Sequence, residues 1–82
     1  MDFALNLAKQ HDKKLIKKIG IRLRDIRNER GITQEEFIYD TGIHIGRIET
    51  GTIDITISTL KRICVYYNIT LEDLFKIVEL KK

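Results

Sequence analysis

Apolar residues recur at intervals of three and four along most of the chain, which is the spacing of an amphipathic helix. The first such stretch runs from residue 12 to residue 30, with basic residues between the apolar ones. Its inward positions are Leu15 or Ile16, Ile19, Leu23 and Ile26. Gly31 follows as a C-cap residue, so the pattern predicts a first helix over 12–30.

A second helix is predicted to begin at Thr33. Thr33 and Glu36 have the spacing of a capping box, with Thr33 as N-cap and Glu36 at the third helical position. Phe37 and Ile38 then face inward. The Thr41-Gly42 pair is expected to break this helix, which should be short.

Three further helices follow in the same pattern. Ile45 and Ile48 mark the inward stripe of a third helix that stops at Gly51. A fourth helix is predicted to open at Ile57 or Ser58 and to close at Asn68. A fifth is predicted to start at a Thr70 cap. The inward residues of the last two are Leu60, Ile63, Cys64 and Tyr67, and then Leu71, Leu74, Phe75 and Val78.

Residues 52–57 alternate polar and β-branched side chains, which is the period of a strand. A lone strand without a partner would leave its backbone groups unpaired, so a loop with Ile55 or Ile57 in the core is expected instead. Residues 1–11 form an N-terminal extension that continues the first helix, forms a separate short helix or supplies part of a dimer contact. The sequence thus predicts an all-α chain with one domain over 12–80.

Charge is distributed unevenly along the chain. The net charge is +3, but residues 1–32 hold nine basic and four acidic side chains, so the remaining fifty carry −2. A basic N-terminal third is compatible with a phosphate-facing surface and equally with an ordinary solvated helix face.

Several classes of protein are disfavoured by composition. With one Cys and two His, the chain cannot form an intramolecular disulfide or a structural zinc site, so a reducing cytoplasm fits best. There is neither a signal sequence nor a run of apolar residues long enough for a membrane span. Nucleophile constellations and phosphate-binding glycine loops are also missing, so we expect no enzyme and no cofactor.

Five short motifs, in order, cover roughly 55 residues, which makes them far more specific than any one motif alone. They are Gly20-Ile21-Arg22-Leu23-Arg24-Asp25-Ile26-Arg27, Gly31-Ile32-Thr33-Gln34-Glu35-Glu36, Arg47-Ile48-Glu49-Thr50-Gly51, Ser58-Thr59-Leu60 and Leu74-Phe75. In this order they resemble the phage-repressor-like (Xre/Cro-type) helix-turn-helix family. The resemblance implies a five-helix lambda-repressor-like domain whose third helix reads the DNA major groove.

The chain departs from that family by about three missing residues between the second helix and the reading helix. Aligned from Glu49 backwards, Thr41 becomes the N-cap of the reading helix and helix two is shortened. Aligned from Gln34 forwards, helix two keeps its length and the reading helix is shortened. We favour the first alignment because Thr is a good N-cap.

The resemblance implies roles for individual residues. Gln34, with Thr33 beside it, would hold a phosphate at the start of helix two, and His44 and Arg47 would contact bases or phosphates. Arg27 and Glu49 would form a structural ion pair without touching DNA. The full set of implied DNA-binding residues is Thr33, Gln34, Thr41, Gly42, His44, Arg47, Thr50 and Thr52.

The expected function is a sequence-specific regulator of transcription that binds double-stranded DNA, as a repressor and a homodimer on a palindromic operator. No small-molecule effector domain and no membrane partner are expected. The alternative is a helix-turn-helix module for protein contact, such as an antitoxin-like or adaptor subunit. A positive stripe of Arg22, Arg24, Arg47 and Lys61 would favour DNA. An exposed apolar patch of Phe3, Leu5 and Leu7 would favour a protein partner.

Overall fold

The computed structural model describes residues 11–80, without the side chains of residues 77, 79 and 80. Most of the predicted extension over 1–11, including the apolar patch considered above, lies outside the described residues. The described chain is all-helical, with five helices and a loop over 52–56, so the expected fold class is confirmed. The helices are α1 (Lys13–Glu29), α2 (Gln34–Thr41), α3 (Ile45–Glu49), α4 (Ile57–Tyr67) and α5 (Leu71–Leu80).

Side-chain caps begin four of these helices. Asp12 accepts a hydrogen bond from the Leu15 N–H at 3.0 Å, and Thr56 accepts one from the Thr59 N–H at 3.2 Å. The capping box of α2 is confirmed: the Thr33 hydroxyl accepts from the Glu36 N–H, and the Glu36 carboxylate accepts from the Thr33 N–H. Thr70 caps α5 by accepting from the Asp73 N–H at 2.9 Å. These local bonds satisfy N–H groups that lack a partner inside the helix.

One buried core joins all five helices. Helix α1 packs against α3 and α5, while α2 packs against α3 and α4 against α5. Of the two residues proposed to tuck in from the 52–57 loop, Ile55 packs against the core and Ile57 is exposed. The fully buried hydrophobic side chains include Leu23, Phe37, Ile45, Ile63 and Tyr67. The inward positions predicted from the helical spacing supply most of this core.

Three aromatic rings join α2 to α4. Phe37 meets Tyr66 edge-on with the ring centroids 5.0 Å apart, and Tyr66 meets Tyr67 in the same way at 5.3 Å. The Tyr66 hydroxyl donates to the Asp40 carboxylate at 2.6 Å. These contacts fix the orientation of α2 on the core, because aromatic pairs favour such edge-to-face arrangements.

Helices α1 and α3 approach each other unusually closely at Gly20. A Cβ atom on Gly20 would overlap the backbone carbonyl oxygens of Ile48 and Glu49, lying 2.7 Å from that of Glu49. Only glycine permits this distance, since real Cβ atoms do not come so near to backbone atoms. The short helix α3 is therefore seated directly on the backbone of α1.

The predicted placement of Thr41 is wrong. Thr41 is the last residue of α2, not the N-cap of the next helix, and Gly42 is the C-cap in a left-handed conformation with φ 73°. The Thr41 hydroxyl donates to the Phe37 carbonyl at 2.8 Å and accepts from the Ile43 N–H at 3.0 Å. Helix α2 thus keeps eight residues, and the missing residues shorten α3 to five.

Candidate nucleic-acid interface

A buried ion pair fixes α3 to α1. Arg27 Nε donates to Glu49 Oε2 at 2.7 Å, and Arg27 Nη2 donates to Glu49 Oε1 at 2.9 Å. The third guanidinium nitrogen, Nη1, donates to the Ile32 carbonyl at 2.8 Å. Glu49 is only 2% exposed and Arg27 9%. The structure therefore brings together the two residues that the family resemblance pairs, in the bidentate geometry that makes such bonds strong.

The hydrogen bond to Glu49 raises the pKa of Arg27 above its usual value. Arg27 thus stays charged throughout the pH range in which proteins fold. All three hydrogen bonds that the Arg27 guanidinium donates in the described structure go to acceptors within the protein, as a structural ion pair requires.

Gln34 joins this network. Its amide Nε2 donates to Glu49 Oε1 at 3.1 Å, and its Oε1 lies 3.4 Å from the position that a Cβ on Gly46 would take. The amide therefore extends from the first turn of α2 across to α3. Because an amide nitrogen carries two hydrogens, one donor of Gln34 is left for a ligand.

An open hollow of about 630 Å³ lies between α2, α3 and the following loop. Gln34, His44 and Arg47 line it together with Ile38, Gly46 and Ile53. His44 is the N-cap residue of α3 without a side-chain cap bond, and both His44 and Arg47 are exposed. Three residues predicted to bind DNA therefore meet on one concave surface.

The other predicted DNA-binding residues lie elsewhere. Thr33 is used by the capping box of α2, and Thr41 and Gly42 lie at the far end of that helix. Arg62 donates to the Thr41 carbonyl at 3.0 Å, which places Thr41 beside α4. The interpretation of Thr41 as the N-cap of the reading helix is thus corrected, since this residue ends α2 and does not line the hollow.

Thr50 and Thr52 follow α3 and are exposed, and their hydroxyl groups bond back to the end of that helix. Thr50 Oγ1 donates to the Arg47 carbonyl at 3.2 Å, and Thr52 Oγ1 donates to the same carbonyl at 3.1 Å. The Arg47 carbonyl also accepts from the Thr52 N–H at 3.1 Å, so the two hydroxyl groups add to a bond that the backbone already forms at the C-terminal end of α3. The two hydroxyl oxygens lie 3.2 Å apart, and both residues are exposed to solvent.

The expected stripe of four basic residues is incomplete. Arg24, Arg47 and Lys61 are exposed, but Arg22 is half-buried in a small hollow with Lys18, Ile21 and Val78, between α1 and α5. Arg22 also pairs with Glu29 at 3.7 Å. This arginine therefore belongs to the packing of α1 on α5.

Three residues that line the hollow were not among the predicted site residues, namely Ile38, Gly46 and Ile53. Ile53 is 40% exposed and stands in the alternating run after α3. The one sequence signal that could have indicated Ile53 is its place in the alternating run shortly after the predicted reading helix.

Comparison with protein-family models matches residues 22–79 to the Cro/C1-type HTH DNA-binding domain. The chain belongs to this family. Comparisons with curated proteins and with solved structures found no match. The Cro/C1-type match begins inside α1, so the first turns of that helix, residues 13–21, precede the matched region.

The family match covers the whole of α2, α3 and the loop after α3, which frame the hollow of this Cro/C1-type domain. Within residues 11–80, no helix is long and apolar enough to cross a membrane. Among the same described residues, no three His, Cys, Asp or Glu side chains gather in a way that could hold a metal ion. The single cysteine, Cys64, is buried in the core, where desolvation raises the pKa of its thiol.

Proposed function

We propose that this chain is a sequence-specific regulator that binds double-stranded DNA through α3 and represses transcription as a homodimer on a palindromic operator. The observation that supports it most is the exposed guanidinium of Arg47 on α3, beside Gln34 in one concave surface of a Cro/C1-type domain. Arg is the side chain best suited to bind guanine O6 and N7 in the major groove.

Gln34 and Arg47 suit different parts of the duplex. Gln34 stands at the first turn of α2, where helix N–H groups and the remaining amide hydrogen favour a phosphate oxygen. The acidic side chains of Glu35 and Glu36 in the same turn weaken this attraction, so the amide contributes position more than charge. Arg47 adds both charge and base readout.

The test is selection from a randomised duplex pool at moderate salt, repeated with Arg47→Ala and Gln34→Ala. We expect the wild-type protein to enrich a palindromic site with half-sites separated by about one helical turn between their centres. Arg47→Ala should lose discrimination at one base pair per half-site, worth about 1–3 kcal/mol. Gln34→Ala should weaken binding to all sequences by a similar factor.

A matched control is Arg62→Ala, which removes a cation that bonds the Thr41 carbonyl outside the hollow. This variant should bind the selected site with nearly wild-type affinity. A folded wild-type protein that enriches no duplex would refute the proposal. That result would favour the other reading of this domain, a module for protein contact, for which the five-residue length of α3 is the supporting observation.

A further inference from the structure

The first turns of α1 lie against the loop that follows α3. Gly51, with φ 72°, faces the backbone of Lys17: a Cβ on Gly51 would lie 3.1 Å from the Lys17 Cα. Lys17 precedes the region matched to the family, and Gly51 lies inside it. This contact places the N-terminal end of α1 beside the C-terminal end of the reading helix.

A second hollow, of about 360 Å³, opens at this contact. Lys13 and Lys17 line one wall, and Gly51, Thr52 and Ile53 line the other. Ile53 also lines the hollow that contains Gln34 and Arg47, so the two hollows adjoin on one surface. The lysines thus lie beside the C-terminal end of α3, next to the surface that contains Gln34 and Arg47.

Both lysines are available for a ligand. They are exposed, and neither forms an ion pair among the described side chains. They stand four residues apart on one helix face, about 5–6 Å between their Cβ atoms, so they can neutralise the same phosphate or two neighbouring ones.

The one acid in this hollow is already engaged. Asp54 Oδ2 lies 2.8 Å from His11 Nδ1, and Asp54 Oδ1 accepts from the Ile55 N–H at 2.8 Å. Both carboxylate oxygens therefore have partners other than the lysines. The hydrogen bond from His11 also lowers the pKa of Asp54.

We infer that Lys13 and Lys17 bind the DNA phosphate backbone on the far side of the groove that α3 enters. This inference rests on the proposed DNA-binding function. It also adds positive charge to a flank where Thr50 and Thr52 offer only neutral hydroxyl groups, which bond the Arg47 carbonyl. The two lysines of α1 supply the positive charge of this contact, and residues 51–53 of the loop form the facing wall of the hollow.

The experiment compares the salt dependence of binding to the selected duplex for three proteins. These are the wild type, the double variant Lys13→Gln/Lys17→Gln, and the control Lys14→Gln/Lys76→Gln, which removes two exposed lysines that do not line the hollow. Each lost phosphate contact reduces the slope of log K against log salt by about 0.9. We expect the first pair to lower the slope by about 1–2 and the control pair to leave it nearly unchanged.

Two further measurements locate the contact. Lys13→Arg/Lys17→Arg keeps the charge and should keep the wild-type slope. Replacing single phosphates of the selected duplex with neutral methylphosphonates should weaken the wild-type protein at one or two flanking positions, and should not weaken the Lys13→Gln/Lys17→Gln variant there. Thermal unfolding followed by circular dichroism checks that every variant is folded.

Failure of the proposed function and failure of the Lys13 and Lys17 contact give different results. If the wild type selects no duplex, the proposed function is wrong and this inference falls with it. If the wild type binds but the two glutamine pairs change the slope equally, or not at all, DNA binding stands and the phosphate contact of Lys13 and Lys17 is rejected.

Discussion

Removing one member of the buried Arg27–Glu49 pair should lower the free energy of unfolding more than any other single substitution near the candidate interface. Glu49→Met leaves the Arg27 guanidinium, 9% exposed, without its counter-ion and without two of its three hydrogen bonds. Arg27→Met leaves a carboxylate that is 2% exposed with only Gln34 as donor. A buried charge deprived of its partner costs about 3–5 kcal/mol.

That loss is large compared with the whole stability of such a chain. At roughly 0.05–0.15 kcal/mol per residue, a domain of this length unfolds with about 4–12 kcal/mol. At about 4–8 °C per kcal/mol, each single variant should melt roughly 12–40 °C below the wild type. Both should be partly unfolded at room temperature if the wild type lies at the low end of this range.

The double variant Arg27→Met/Glu49→Met gives the sharper result. Two buried charges are replaced by apolar side chains of similar volume, which is often close to neutral. We therefore expect the double variant to be more stable than either single variant. Urea unfolding at pH 7, followed by circular dichroism, measures all four proteins, and Gln34→Ala serves as a control that should cost about 1 kcal/mol.

A loss below about 1 kcal/mol in either single variant, which is the size of an exposed ion pair, would refute a buried pair whose members depend on each other. Losses in the double variant equal to the sum of the two single losses would also contradict it. Additivity would mean that the two side chains act independently.

Two other changes test the packing. Gly20→Ala should destabilise the fold by about 1–3 kcal/mol, because its Cβ would overlap backbone atoms of α3, although Ala favours helices. Gly46→Ala is the control in the same urea experiment. Its Cβ would meet only the flexible Gln34 amide, so this variant should be as stable as the wild type or more stable. The Tyr67 hydroxyl is buried without a hydrogen-bond partner in the described structure, and burial raises its pKa to about 12, so the folded state holds this proton more tightly than the unfolded state, where the pKa is about 10. The free energy of unfolding should therefore be unaffected by this group below pH 10, and should fall by about 1.4 kcal/mol at pH 11. Tyr67→Phe should remove that part of the alkaline decrease and should be at least as stable as the wild type at pH 8; an unchanged alkaline decrease would contradict the assignment.

Most of the fold could be predicted from local signals. The capping box of Thr33 and Glu36 requires only residues three apart, and the inward stripe of α1 requires only its own spacing. Such features are decided within one helix, where propensity and capping act together. They carry over into the structure without change.

The boundary between α2 and α3 could not be predicted in this way, because Thr41 and Gly42 suit either end of a helix. Thr is a good N-cap, but here its hydroxyl bonds back to Phe37, and Gly42 supplies the left-handed C-cap. What decides between the two is remote in sequence. Glu49 must reach Arg27 and α3 must lie on Gly20, so α3 is fixed from its C-terminal end.

The candidate site was predictable only in part for the same reason. The resemblance indicates Gln34 and Arg47 by position, but the bond between Gln34 and Glu49 spans 15 residues. Likewise, the hydroxyl groups of Thr50 and Thr52 both bond the Arg47 carbonyl because the turn after α3 brings them to it. Spacing along a chain does not reveal which donor a folded turn has already used.

The length of α3 limits how the proposed DNA recognition can work. Of its five residues, Ile45, Ile48 and Glu49 are buried and Gly46 has no side chain, so Arg47 is the one residue within α3 whose side chain can enter the groove, with His44 beside it at the N-cap. One bidentate contact discriminates against the wrong base by about 1–3 kcal/mol, so two half-sites together discriminate by about 2–6 kcal/mol. Specific DNA binding is about 4–10 kcal/mol more favourable than non-specific binding, so the two contacts reach only the lower part of that range. A monomer with this one bidentate contact would therefore select its site poorly, which supports the homodimer in the proposed function. With so few base contacts, phosphate contacts supply a larger share of the affinity. Binding should therefore weaken steeply as the salt concentration rises, while the difference in affinity between DNA sequences stays modest.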